Sequence, residues 1–182
     1  QYGVQTGDRI ALLAENNLEY IALFAAMQRM GFVLVPLNYR LASAELDYLL
    51  KDSGPKLVIC EDKFEATLKA GEVLAKVPHY LPWATLQAFC EAHKDETQPP
   101  FPLQPVGEDH PAFILYTSGT TGFPKGAIYS HKMLFWNSIN TAMSLIINTE
   151  SGTVNVMPAF HTGGWNVLTT PFLHHGAYTV LM

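Results

Sequence analysis

Hydrophobic positions in the first part of the chain alternate between short β-rich runs and helical patterns. The apolar run 9–13 predicts a strand, and the mostly apolar segment 18–30 predicts a helix. Asn16 or Asn17 is the expected N-cap of this helix, and Gly31 is its expected stop. Further strands are predicted over 32–36 and 57–60, with one helix opened by Ser43 and another by a capping box at Asp62 and Glu65.

This order of elements predicts an α/β fold. Parallel neighbours need crossover connections, which are usually helical, so the alternation indicates mostly parallel sheets with helices on both faces. The proline-rich stretch 98–111 is predicted to be an extended connector, because proline interrupts both helices and central strands. It divides the chain into a first α/β part at 1–97 and a second part at 112–182.

The second part repeats the alternation of strands and helices. Strands are predicted over 112–116, 127–129, 153–157 and 178–182, and helices over 131–147 and 164–174. The buried stripe of the first of these helices is expected to contain Phe135, Ile139, Ala142, Met143 and Ile146.

Composition and charge exclude several classes of protein. Apolar residues make up 48% of the chain, and the net charge of -5 comes without a basic stripe, so nucleic acid is not an expected partner. No apolar stretch reaches the roughly 18 residues of a transmembrane helix. Cys60 and Cys90 lack metal-ligand spacing, which is typical of reduced thiols in a cytoplasmic protein. The oligomeric state is left open, with a homodimer as one alternative.

The segment 116–126 follows a predicted strand and reads Tyr-Thr-Ser-Gly-Thr-Thr-Gly-Phe-Pro-Lys-Gly. Its glycines let backbone N–H groups approach an anion, while its hydroxyls add donors and Lys125 adds a positive charge. The familiar nucleoside-triphosphate loop instead has its lysine at the start of a helix, whereas Lys125 lies between Pro124 and Gly126. The segment therefore predicts a phosphate-binding loop of another kind.

This loop resembles the signature loop of the adenylate-forming, or AMP-binding, superfamily, which includes acyl-CoA synthetases and the adenylation domains of peptide synthetases. The segment 31–59 looks like the family's upstream block, and 157–165 resembles its Pro-x-Phe-His segment beside the acyl-substrate tunnel. The family's later motifs and its C-terminal catalytic lysine have no counterpart. The resemblance implies an N-terminal fragment, part of the large domain of an acyl-CoA synthetase-like fold.

The resemblance implies an acid–thiol ligase that uses ATP, Mg²⁺ and coenzyme A. It assigns Thr117 as a hydroxyl ligand of Mg²⁺ and Lys125 as the charge that stabilises departing pyrophosphate. The nucleotide site it implies contains Thr117, Ser118, Gly119, Thr120, Thr121, Gly122 and Lys125.

The acyl-binding group implied by the resemblance contains His161, Thr162, Gly163 and Trp165. His161 would orient the carboxylate or gate its path, and Trp165 would gate a fatty-acid tunnel. Ordinary packing stays an alternative for both residues.

Medium- or long-chain fatty acids are the favoured substrates, because Phe-His-Thr-Gly-Gly-Trp resembles that branch of the family. A peptide-synthetase adenylation domain and a non-catalytic nucleotide-binding fragment are the alternatives. A hydrolase that uses Ser118 is weaker, since Tyr116 stands where the Gly-x-Ser-x-Gly elbow needs its first glycine. The 182-residue chain alone is expected to be inactive.

Overall fold

The computed structural model describes residues 2–96, 105–117 and 122–182. A six-stranded sheet is formed by β1 (Arg9–Leu13), β2 (Val33–Pro36), β3 (Leu57–Cys60), β4 (His79–Pro82), β5 (Pro111–Thr117) and β6 (Lys125–Ser130). The strands lie in the order β4-β3-β1-β2-β5-β6, and every neighbouring pair is parallel except β5 with β6. The predicted α/β fold with a mostly parallel sheet is confirmed.

Helices cover both faces of this sheet. They are α1 (Leu18–Met30), α2 (Ser43–Ser53), α3 (Glu65–Lys69), α4 (Trp83–Ala92) and α5 (His131–Leu145). Side chains of β1 alternate between two cores, because Ile10 and Leu12 belong to one buried cluster while Ala11 and Leu13 belong to another. A central parallel strand buried on both faces needs apolar residues at consecutive positions, as β1 has.

The boundaries of α1 agree with the prediction, but those of the third helical segment do not. Asn17 caps α1, since its side chain accepts the Tyr20 N–H at 3.0 Å, and Gly31 ends it with a φ of 69°. The predicted capping box at Asp62 and Glu65 is wrong. Asp62 begins a short 3₁₀ turn, and the Glu65 carboxylate instead accepts the Tyr80 hydroxyl at 2.9 Å.

A second, two-stranded parallel sheet joins β7 (Gly152–Asn155) to β8 (Tyr178–Leu181). The predicted helix 164–174 is interrupted, and two short helices, α6 (Thr162–Asn166) and α7 (Thr170–His174), connect the strands. Pro171 has no N–H to continue the helical hydrogen bonds. In addition, the Thr169 hydroxyl donates to the Gly164 carbonyl at 2.6 Å and holds the chain in a turn.

The predicted buried stripe of α5 is wrong in most of its members. Leu134, Ser138 and Ala142 are the buried residues, whereas Met143 and Ile146 are 76% and 80% exposed. Phe135 is also exposed, and Ile139 is half-buried. The buried face is set by α7, because the Ser138 hydroxyl and His174 Nδ1 form a hydrogen bond of 2.9 Å between the two helices.

Half of the predicted connector 98–111, residues 98–104, lies outside the described residues, and β5 begins at its last residue, Pro111. Strands from both sides of the connector pair in the same sheet. The division of the chain into 1–97 and 112–182 therefore stays a prediction. Within the described ranges, the helices are too short or too polar to cross a membrane.

Two substitutions on α5 test which face is buried. Leu134→Ala should lower the free energy of unfolding by about 2 to 5 kcal/mol, because it removes a side chain that is 3% exposed. Met143→Ala should change it by less than about 0.5 kcal/mol. Urea unfolding of the 182-residue chain measures both, and equal losses would contradict the assignment of the buried face.

Candidate functional site

The two ends of the glycine-rich segment meet at the carboxyl edge of the six-stranded sheet. Strand β5 runs parallel to β2 and ends at Thr117, while β6 returns antiparallel, so that Lys125 is paired with Thr117. The carboxyl edge of a parallel sheet is where ligands usually bind in α/β proteins. The fold therefore brings the predicted hydroxyl and the predicted cation to a common edge.

The predicted nucleotide-binding residues are only partly described. Ser118, Gly119, Thr120 and Thr121 lie outside the described residues. Gly122 has a φ of 105°, a conformation that a residue with a side chain rarely adopts. Thr117 Oγ1 lies 3.5 Å from the Lys125 carbonyl oxygen.

The ammonium group of Lys125 is available to an anion. Its side chain is exposed, and it forms no ion pair with any residue in the ranges that the structure covers. An ammonium group without a carboxylate partner can bind an anion without first breaking an internal ion pair.

Anchors on both sides of the loop were not predicted from the sequence. The Tyr116 hydroxyl donates to Asp52 Oδ2 at 2.7 Å, and the Phe123 ring stacks on Tyr48 with 5.2 Å between centroids. Burial, together with the hydrogen bond to Asp52, raises the pKa of Tyr116 well above its usual value, so the phenol remains a donor. Helix α2 thus supports both ends of the loop.

No sequence signal identifies these anchors, because Tyr116 and Asp52 are 64 positions apart. Gly126 gives one indirect sign of close packing. A Cβ there would lie 2.8 Å from Ile114 Cγ2 and 3.3 Å from Tyr116 Cζ, so a larger residue would force the Ile114 side chain to shift.

A cleft of about 240 Å³ lies beside the loop at the carboxyl edge. Thr117, Gly122 and Pro124 line one side, and Phe160 reaches the same cleft from the segment that precedes α6. The predicted phosphate-binding and acyl-binding segments, which are about 40 residues apart in sequence, are therefore neighbours in the fold.

His161 follows Phe160 in the chain, is exposed, and serves as the N-cap of α6. Its Nδ1 accepts the Gly163 N–H at 3.2 Å. An accepting Nδ1 means that the neutral ring carries its proton on Nε2, which is left to donate to a ligand. The same hydrogen bond is a structural role, so both the functional role of His161 and the packing alternative stay predictions.

The remaining predicted acyl-binding residues have structural partners. The Thr162 hydroxyl lies 3.1 Å from the Tyr129 hydroxyl and accepts from Asn166 Nδ2 at 2.7 Å. Gly163 is half-buried beside Met157.

Trp165 is 1% exposed, and its ring packs against both Phe24 and Phe113, with centroid distances of 5.2 and 5.0 Å. Its indole N–H donates to the Ala159 carbonyl at 2.6 Å. These contacts support the alternative in which Trp165 is a core residue.

The described residues do not form a metal site by themselves. Thr117 offers one hydroxyl oxygen, and the part of the chain covered by the structure contains no group of three His, Cys, Asp or Glu side chains that could hold an ion. Mg²⁺ normally needs carboxylates, waters and substrate phosphates around it. One hydroxyl supplies only part of such a set, so Thr117 as a hydroxyl ligand of Mg²⁺ stays a prediction.

Comparisons with known proteins show the family of this chain. The family model described as "AMP-binding enzyme" matches residues 1–182. The chain belongs to this family. It is 36% identical to indoleacetate–CoA ligase of Aromatoleum aromaticum and 35% identical to feruloyl-CoA synthase of an Amycolatopsis species, in each case over 98% of the chain. It is 34% identical to long-chain-fatty-acid–CoA ligase FadD13 of Mycobacterium tuberculosis over 87% of the chain.

Solved structures with the same fold include those of two other proteins. The chain matches the N-terminal domain of FACL13 from Mycobacterium tuberculosis with a TM-score of 0.88 and 26% identity, over 100% of this chain and 45% of that one. ATP-bound MatB from Rhodopseudomonas palustris matches with a TM-score of 0.85 and 32% identity, over 100% and 36%. The chain spans 36%, 34% and 32% of the three ligases named above.

Gly164 tests whether the segment before α6 depends on close backbone packing. A Cβ at this position would overlap the Pro158 carbonyl, which is backbone and cannot rotate away. Gly164→Ala should therefore lower the free energy of unfolding by about 1 to 3 kcal/mol. Gly107→Ala is the matched control, since a Cβ there meets nothing within 4 Å. Similar melting temperatures for the two variants would contradict the packing.

Proposed function

We propose that the protein to which this chain belongs is an AMP-forming acid–thiol ligase. In the first step a carboxylate attacks the α-phosphorus of ATP, which gives an acyl adenylate and releases pyrophosphate. In the second step the thiol of coenzyme A attacks the acyl carbon, which gives the thioester and releases AMP. The observation that carries this proposal is the pairing of Thr117 with Lys125 at the carboxyl edge, where Phe160 lines the same cleft as Thr117.

Charge development in the first step explains the proposed role of Lys125. Negative charge grows on the bridging oxygen as pyrophosphate leaves, and a fixed cation there stabilises the transition state more than the ground state. The β5–β6 ladder holds the backbone of Lys125 in place. Thr117 at the other end of the loop is proposed to face the same phosphates, with Ser118, Gly119, Thr120, Thr121 and Gly122 between them.

His161 is proposed to bind the incoming carboxylate. Its Nε2–H is left to donate because Nδ1 is engaged by the Gly163 N–H. A donor on one carboxylate oxygen orients the other oxygen toward phosphorus, which is a contribution of position more than of proton transfer.

A fatty acid is the proposed acyl substrate. The motif Phe160 to Trp165 and the fatty-acid ligase relative support it. Aryl acids are the second candidate, supported by the indoleacetate and feruloyl relatives at 36% and 35% identity. An amino-acid-activating adenylation domain is a third candidate and predicts exchange with amino acids alone.

Removal of the Lys125 charge tests the nucleotide site in the full-length protein. Lys125→Ala should slow carboxylate-dependent exchange of labelled pyrophosphate into ATP by about 10²- to 10³-fold, as expected for loss of one preorganised donor. Lys132→Ala removes an equal charge from an exposed ion pair with Glu108 and should leave exchange unchanged. Equal rates for the two variants would remove Lys125 from the mechanism.

The acyl substrate is identified by the same exchange reaction with octanoate, palmitate, ferulate, indoleacetate and a mixture of amino acids. We expect the fastest exchange with a fatty acid. Exchange that depends only on amino acids would replace the proposed ligase with an adenylation domain, and nucleotide binding without any exchange would indicate a non-catalytic protein.

The 182-residue chain by itself should show no exchange, because it spans about a third of the length of the ligases that it resembles. The measurement compares the chain with the full-length protein at equal concentration. Robust exchange by the chain alone would show that the described residues suffice for adenylate formation.

A further inference from the structure

The side chain of Asn16 connects the two sheets. Asn16 follows β1, and its Nδ2 donates to the carbonyl oxygens of Met157 and Met182, each at 2.9 Å. Met157 lies just beyond β7, and Met182 just beyond β8. One amide thus joins the carboxyl end of β1 to the carboxyl ends of both strands of the small sheet.

The third hydrogen bond of Asn16 reaches the segment that carries His161. The Ala159 N–H donates to Asn16 Oδ1 at 2.8 Å. The Ala159 carbonyl oxygen accepts the Trp165 indole N–H at 2.6 Å. Both polar groups of the Ala159 backbone are therefore held by side chains, one from the end of β1 and one from α6.

This double attachment fixes the turn that presents His161. The His161 N–H donates to the Pro158 carbonyl at 3.0 Å, so the turn closes around Ala159. The His161 ring is restrained in turn by the Gly163 N–H. A displacement of Ala159 would move His161 with it, since only Phe160 lies between them.

We propose that Asn16 is a positioning residue, which sets the place of His161 through Ala159 and thereby the binding of the carboxylic acid. This inference rests on the proposed function. Asn16 itself need not touch the substrate. Its amide uses two donors and one acceptor in the contacts described, and an aliphatic side chain of similar size would leave two carbonyls and one N–H without these partners.

Asn17 provides a matched control for a merely structural effect. It is also an asparagine after β1, and its side chain caps α1 through the Tyr20 N–H. Asn17→Ala removes that cap and should lower thermal stability, yet the side-chain hydrogen bonds of Asn17 in the described residues go to Glu15 and Tyr20 and not to the segment 157–159. A loss of activity that follows stability alone would appear in both variants.

The experiment is a double-mutant cycle on the full-length protein. It measures kcat/KM for the carboxylic acid and KM for ATP in wild type, Asn16→Ala, His161→Ala, the double variant and Asn17→Ala. The acid is whichever of octanoate, palmitate, ferulate and indoleacetate the wild type exchanges fastest. Melting temperatures are measured for all five proteins.

Asn16→Ala should lower kcat/KM for the acid about 10- to 100-fold, because a misplaced binding group loses its orienting effect. KM for ATP should stay within about twofold of wild type, since Asn16 makes no contact with the phosphate loop in the ranges described. The double variant should be no slower than His161→Ala, because Asn16 acts through His161.

Two results would overturn the inference about Asn16. One is multiplication of the two single losses in the double variant, and the other is an equal loss in Asn16→Ala and Asn17→Ala. Failure of the proposed function is a separate result, because the wild type would then show no carboxylate-dependent exchange at all.

Discussion

The antiparallel ladder between β5 and β6 is the interaction on which the candidate site depends. Six paired positions, from Pro111 with Ser130 to Thr117 with Lys125, make β6 a reversed edge strand on an otherwise parallel sheet. If the strand after β5 were parallel to it, a crossover connection would first have to return the chain to the amino edge of the sheet. The reversal instead lets the loop leave and re-enter at the carboxyl edge. Lys125 therefore starts a strand, whereas the lysine of the familiar triphosphate loop starts a helix.

A second constraint is the burial of Trp165, which joins the small sheet to the large one. Its ring lies against Phe24 of α1 and Phe113 of β5, so a residue of α6 completes the core of the six-stranded sheet. A buried indole must place its N–H on an acceptor, and the Ala159 carbonyl supplies one. The same residue thus contributes apolar packing and a polar tie to the segment before His161. This explains how a core tryptophan can occur within a motif that resembles a substrate-binding segment.

Local patterns were sufficient to predict most of the large sheet, but not the buried face of α5. Strands β1, β2, β3 and β5 are apolar runs bounded by caps and turns, and those signals lie within a few residues of each element. Helix α5 has apolar residues on most of its circumference, so its periodicity could not choose among faces. The choice falls on Leu134, Ser138 and Ala142 because α7 packs there, and a polar Ser138 at the centre of a buried stripe is visible only with its partner His174.

In the candidate site, too, residues within a contiguous motif could be predicted from the sequence, whereas contacts between distant residues could not. Thr117 and Lys125 belong to a contiguous motif, so the sequence predicts them as site residues without any knowledge of the fold. Asn16 and Asn17 were equivalent as N-caps, because both precede the first turn of α1. The structure separates them: Asn17 serves the helix, while Asn16 binds carbonyl and amide groups 141 to 166 positions away. N-cap prediction uses only the three or four residues nearest the helix start, so it cannot distinguish Asn16 from Asn17. Asn16 can bind the small sheet because it does not cap α1.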